Sequence, residues 1–155
     1  MPRRSAGILL YRRRDGQVEV LLVHPGGPFW AKKDQGAWSI PKGEYEQDDD
    51  PLETALRELE EETGHRPETS KLLDLGAIRQ RGGKVLTAWA APGDLDADAI
   101  TSNTFIIEWP PRSGRQREFP EVDRAGWFDV PTARDKVLAA QAELIDRLLG
   151  ALPES

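Results

Sequence analysis

The sequence predicts an α/β protein: a mixed sheet with helices on both of its faces. Three observations predict it. Short apolar runs separated by turn residues open the chain as a hairpin and recur after residue 70. An amphipathic helix stands between these two groups of strands. A second helical periodicity closes the chain. At 155 residues the length suits one domain, 1–155, with one real core.

Residues 5–11 (SAGILLY) and 18–24 (VEVLLVH) read as strands, and Asp15-Gly16 in the link at 12–17 is a tight-turn signature. Residues 25–28 (PGGP) break the chain. The loop 29–36 (FWAKKDQG) carries aromatics and lysines. Phe29 and Trp30 either cap the edge of the core or stack on a nucleobase while Lys32 or Lys33 meets phosphate. In 38–43 (WSIPKG), Pro41 keeps a helix from starting early, and Gly43 lets the backbone approach a ligand closely. Lys42 either touches phosphate or is an ordinary solvated lysine.

The helix is bounded by its own signals. Asp50 is a good N-cap, Pro51 fits the first helical position, Glu53 completes a capping box, and Thr63-Gly64 is the stop. At about 100° per residue, Leu52, Ala55, Leu56 and Leu59 share one face, and Glu58, Glu61 and Glu62 crowd beside it. Such carboxylates repel each other by a few tenths of a kcal/mol per pair. A solvated acidic face is the simple reading, whereas a hard divalent cation would turn the repulsion into binding.

After the helix, residues 65–70 form a polar link, and 72–80 and 84–91 read as strands of a second hairpin around Arg81-Gly82-Gly83. Residues 94–102 read as a loop or short helix, 104–109 (TFIIEW) as a strand, and 110–117 (PPRSGRQR) as a flexible basic loop. Its arginines 112, 115 and 117 either clamp phosphates or simply face solvent. Trp127-Phe128 reads as a short strand, residues 132–149 as the last helix, and Pro153 onward as a frayed tail.

Residues 43–64 resemble the Nudix box, G-x5-E-x7-R-E-U-x-E-E-x-G-U, where U is a bulky apolar residue. Gly43, Arg57, Glu58, Leu59, Glu61, Glu62 and Gly64 stand at the matching spacings. Asp49 replaces the first Glu, keeping its charge with a shorter reach, and His65 replaces the last apolar residue. The resemblance implies an α/β/α sandwich with a mixed sheet and the box at one end of that sheet. It also implies metal-dependent hydrolysis of a nucleoside diphosphate linked to another group X. In that reading Glu58 is the general base or a metal-linked activator, and Glu61, Glu62 and the Gly43 carbonyl are metal ligands. Glu58 is a further candidate ligand. Arg57 orients the acidic cluster by pairing with a carboxylate, and Asp49 supports that arrangement. Glu121 is the acid from outside the helix, with Glu118 and Asp123 as rivals. Mg²⁺ suits the hard oxygen donors, with Mn²⁺ as its substitute. Pro41-Lys42-Gly43 resembles the branch that cleaves dinucleoside polyphosphates, which makes Lys42, Trp30 and Lys32 the candidate substrate contacts.

Composition bounds the alternatives. The net charge of −6 argues against a non-specific nucleic-acid coat but admits a small phosphorylated substrate. The absence of cysteine excludes disulfides, thiolate zinc sites and cysteine nucleophiles. No apolar run reaches membrane-spanning length, and the first residues are too short a run for a signal peptide, so a soluble cytoplasmic protein is expected. Oligomeric state leaves no mark on the sequence. A non-catalytic nucleotide sensor or protein-interaction domain on the same fold is the competing function, and a structural calcium helix is a weaker third.

Overall fold

The computed structural model describes residues 3–153. Of the expected tail, residues 154–155 lie outside it. Strand β1 (Arg4–Arg14) is the axis of a six-stranded mixed sheet. One edge pairs in parallel with β5 (Val85–Pro92), from Arg4↔Val85 to Tyr11↔Pro92. The other edge is shared. Its second half pairs with β2 (Gln17–Pro25) and its first half with the short β3 (Lys42–Glu44), both antiparallel. Outside these lie β4 (Leu73–Arg79), against β5, and β8 (Val122–Asp129), against β2. A separate hairpin joins β6 (Thr104–Glu108) to β7 (Gln116–Pro120).

Side-chain alternation divides the core in two. Leu9, Val20 and Leu22 pack with Leu144, Ile145 and Leu148 of helix α3 (Ala142–Ala151) and with Ala133 of α2 (Val130–Lys136). Ile8, Leu10 and Leu21 pack with Ala55, Leu56 and Leu59 of α1 (Pro51–Thr63). Strands covered on both faces cannot alternate apolar with polar, which is why 6–10 and 20–23 are unbroken apolar runs. The layers are α/β/α, as the sequence led one to expect.

The sheet splits where β1 and β2 diverge. Their ladder runs from the turn to Tyr11↔Val20, and residues 39–44 fill the wedge beyond it. Val23 and Ser39 exchange backbone hydrogen bonds of 2.8 and 3.0 Å, and the Ile8 N–H donates to the Pro41 carbonyl at 3.1 Å. The path continues as β3, with Gly7↔Lys42 and Ala6↔Gly43. The approach is close enough to require glycine: a Cβ on Gly7 would lie 2.6 Å from the Pro41 oxygen. Lys42 and Gly43 are thereby fixed by the sheet before α1 begins.

Several boundaries differ from the sequence expectation, each for a local reason. The first turn is only Asp15-Gly16, at φ 52° and 80°, so the strands run through the arginines to Arg14↔Gln17. A two-residue turn of this kind requires its flanks to pair at once, and an Arg12–Glu19 contact of 2.8 Å supports them across the strands. The capping box forms only in part. Asp50 accepts from the Leu52 N–H at 3.1 Å, while Glu53 turns away to Arg66 at 3.3 Å. The basic loop is shorter than expected because Gln116–Pro120 is strand β7, drawn into a ladder with β6 despite its polar sequence.

The expected helix at 132–149 is two helices, α2 and α3. Its periodicity runs through Val137, yet Val137 is extended, at φ −77° and ψ 152°. The backbone of Trp38 wins the competition: Trp38 N–H donates to Lys136 and Leu138 N–H donates to Trp38, at 2.9 and 2.8 Å. The break leads to Gln141, which is fully buried. Its Oε1 accepts from the Ile40 N–H at 3.0 Å, and its Nε2 donates to Ser39 and Gln80 at 3.0 and 3.1 Å. Gln141→Leu leaves the Ile40 N–H without a partner, and urea unfolding should show a loss of about 1–3 kcal/mol.

Candidate active site

Helix α1 presents its acids on adjacent turns beside the wedge. Leu56 and Leu59 seat the helix on the sheet, and Gly64, at φ 83°, ends it with its N–H on the Glu60 carbonyl at 2.7 Å. Glu58 lies directly against Gly43: a Cβ built there would be 2.1 Å from the Glu58 carboxyl carbon. The Glu58 side chain thus occupies the space that a side chain at position 43 would need. Glu61 is turned to Arg57, with the guanidinium 3.8 Å from the carboxylate. Among the described residues, Asp49 makes no hydrogen bond or ion pair with the cluster. It closes the preceding turn by accepting from the Glu46 N–H at 3.0 Å.

The carboxylates are held with little compensation. Burial, then the charges of Glu61 and Glu121, pushes Glu58 up to about 7. Burial, then the Glu58 charge, pushes Glu62 up to about 8, with the Lys42 ammonium and backbone opposing. Burial and Glu61 raise Glu121 as well. One Glu62 oxygen, Oε2, is buried and has no hydrogen-bond partner. Burial also lowers Lys42, so the nearby ammonium is itself poorly solvated.

A cavity of about 180 Å³ opens beside these groups. Lys42, Glu62 and Glu121 are its charged walls, Trp30 its aromatic wall, and Val23, Ile40 and Leu138 part of its apolar lining. Of the candidate residues, the structure brings Lys42, Trp30, Glu62 and Glu121 to this cavity. Gly43, Arg57, Glu58 and Glu61 lie outside its lining, in the adjoining acidic cluster. Lys32 is exposed and outside the lining too, whereas the neighbouring Lys33 ammonium sits 5.0 Å over the Trp30 ring. Among the three rival acids, Glu121 lines the cavity, Asp123 meets His24, and Glu118 lies on β7 opposite Ile106.

Two residues at the site were invisible to the sequence reading. Ser39 lines the cavity from the wedge, where only the split sheet places it. Outside the cavity lining, Trp109 packs edge-to-face with the exposed Phe29 at 5.4 Å. The aromatic content of both segments was the only signal available.

The family model described as "NUDIX domain" matches residues 1–148. The chain belongs to the Nudix family. Among curated proteins it is 31% identical over 136 residues to an octanoyltransferase of Myxococcus xanthus, covering 88% of this chain and 33% of that protein. It is 40% identical over 72 residues to an RNA pyrophosphohydrolase of Xanthomonas oryzae pv. oryzae, covering 46% of this chain and 30% of that protein. This Nudix chain spans about a third of the length of the curated relatives it matches. In fold it is similar to the NUDIX domain of Shewanella oneidensis NrtR complexed with ADP ribose, with TM-score 0.67, 21% identity, and coverage of 99% of this chain and 90% of that one. It is similar also to a C. elegans Ap4A hydrolase, with TM-score 0.65, 19% identity, and coverage of 94% and 96%. These likenesses show the Nudix fold.

Nudix hydrolases generally use divalent metal ions, and the donors here fit one. They are hard carboxylate oxygens, mutually repelling, with one buried oxygen unpartnered. Among the described residues no three acidic or histidine side chains converge into a ready metal cage. The fit therefore lies in the charge and burial of the Nudix acids rather than in a preformed coordination shell.

Proposed function

We propose that this single Nudix domain is a metal-dependent pyrophosphohydrolase. Its substrate is a nucleoside diphosphate linked to another group, with a dinucleoside polyphosphate or related nucleotide as the best candidate. One observation carries the reading: Glu58 and Glu62 are held together, partly desolvated, on adjacent turns beside a cavity lined by a half-buried lysine, Lys42. Such an arrangement is costly on its own and becomes favourable around a divalent cation and a polyphosphate.

In this reading Glu58, Glu61, Glu62 and the Gly43 carbonyl hold Mg²⁺ or Mn²⁺. When bound, the metal neutralises phosphate charge and makes water more acidic. Glu58 takes the proton of the attacking water as the bridging P–O bond breaks. Arg57 keeps Glu61 in place, and Glu121 acts from the bend between β7 and β8. Lys42 meets phosphate, Trp30 stacks on the base, and Lys32 contacts the substrate only where it extends beyond the cavity. Pro41-Lys42-Gly43 and the aromatics Phe29, Trp30 and Trp109 support the dinucleotide choice. The short RNA pyrophosphohydrolase matches keep a 5′-phosphorylated RNA end as the alternative. A cytoplasmic setting suits such substrates, and no helix among the described residues is long and apolar enough to cross a membrane.

A turnover screen tests the reading. Diadenosine polyphosphates, ordinary and modified nucleoside triphosphates, nucleotide sugars and 5′-triphosphate RNA are incubated with Mg²⁺ or Mn²⁺, and products are identified by mass. Metal-dependent release of a mononucleotide is expected. Binding of a nucleotide with no turnover on the panel would favour the sensor function instead. Gly43→Ala gives a second check. The atoms nearest that Cβ belong to the Glu58 side chain, from Cγ to the carboxylate, so the protein should fold once that side chain swings aside, which circular dichroism checks. The displaced carboxylate should lower turnover by about 10²-fold.

A further inference from the structure

His24 has no part in the roles assigned above, yet it is fully buried and both ring nitrogens are engaged. Nδ1 lies 2.8 Å from a carboxylate oxygen of Asp123, and Nε2 lies 2.6 Å from the Lys33 carbonyl oxygen. Both partners are acceptors, and the Arg124 guanidinium approaches the same Asp123 oxygen at 3.9 Å. A neutral imidazole has one N–H and one bare lone pair, so one of the two contacts would set a lone pair against an oxygen. Both contacts are satisfied when both nitrogens carry hydrogen, with Asp123 as the counter-charge. The ring also packs edge-on with Trp38, their centroids 5.2 Å apart.

The two partners lie on segments that form different walls of the cavity, through Trp30 on one side and Glu121 and Val122 on the other. Asp123 is on β8, two residues after Glu121, and β8 is fixed by its ladder to β2, in which His24 itself pairs with Arg124. Lys33 is in the loop that carries Trp30, and that loop has no ladder. Its ends are tied by the Gly26 N–H to Glu121 and the Gly36 N–H to Asp135. Between those ends, among the described residues, its tertiary hydrogen bonds are the His24–Lys33 contact and the Asp34 contacts with Trp38 and Lys136.

We propose that His24 is a positioning residue for substrate: donating from both ring nitrogens, it fastens the Trp30 loop to β8 and fixes Trp30 relative to Glu121 across the cavity. The kinetic consequence rests on the hydrolase reading, whereas the fastening itself does not. Glu58, which takes the proton of the attacking water, lies on α1 and is untouched. Loss of the fastening therefore weakens nucleotide binding rather than the reacting step.

Three measurements test this on the full chain. In ¹⁵N NMR of the unmodified protein at assay pH, both His24 ring nitrogens should show attached hydrogens; a ring with only one overturns the proposal. His24→Gln, which cannot donate in both directions, should speed hydrogen exchange of the amides at 29–35 about tenfold or more; unchanged exchange overturns it. With a substrate from the screen, the same variant should raise KM about tenfold and leave kcat within about threefold. A fall in kcat at constant KM would overturn it. Failure of the hydrolase reading removes only the third measurement, and a His24→Gln protein that does not fold leaves the first.

Discussion

A Glu58→Gln protein is expected to hydrolyse its nucleotide roughly 10²–10⁴-fold more slowly than the parent, with the fold intact. Glutamine keeps the shape that packs against Gly43 but cannot take a proton from water. In the metal-free protein the carboxyl it replaces is pushed up to about 7 by burial and by Glu61 and Glu121. Steady-state kinetics in Mn²⁺, with circular dichroism as the folding check, should show the loss mainly in kcat. A variant that stays as active as the parent would transfer the proton-accepting role to another acid. Glu121→Gln run alongside gives that comparison, since Glu121 lines the adjoining cavity and its charge acts on Glu58.

The second large effect concerns stability without metal. Glu62 is raised from its ordinary 4.5 to about 8 in the folded protein, so the folded state holds its proton more tightly than the unfolded chain does. The stability this gives is fully present below about pH 4.5 and is lost as pH rises to about 8. In a chelator, the parent should therefore melt at progressively lower temperature across that window. Glu62→Gln, which has no charge to bury, should be more stable than the parent at pH 8 by about 2–4 kcal/mol, or roughly 5–15 °C in Tm. The two should converge near pH 4.5. Saturating Mg²⁺ or Mn²⁺ should reverse the order at pH 8 by stabilising the parent more than the variant. Parallel melting curves for both proteins, with and without metal, would remove Glu62 from the cation site.

Much of the fold was legible because its strongest signals are local. The first turn, the strands of both hairpins and the caps of α1 depend on neighbours in sequence. The acidic cluster was legible for the same reason, since one helix fixes the spacing of Glu58, Glu61 and Glu62. What was not legible depends on partners far along the chain. Strand β3 is a strand only because β1 and β2 part to admit it, and β7 only because β6 is beside it. The last helix breaks at Val137 because the Trp38 backbone competes for its hydrogen bonds. Glu121 could be narrowed only to one of three acids, because its place at the cavity is set by backbone hydrogen bonds to Gly26 and Asn103, distant in sequence. His24 looked like any strand residue, since its partners Lys33 and Asp123 come from two other segments.

The wedge in the sheet also determines what can be cut away. A fragment ending at Gly64 would contain the entire motif, yet both open edges of its sheet would be bare. In the whole protein those edges are occupied by β5, alongside β1, and β8, alongside β2. Unpaired apolar strand edges recruit other chains, so such a fragment would self-associate before it could bind a nucleotide. The motif is therefore not a portable cassette. Transplanting it into another scaffold requires a donor strand on each side and the gap between them.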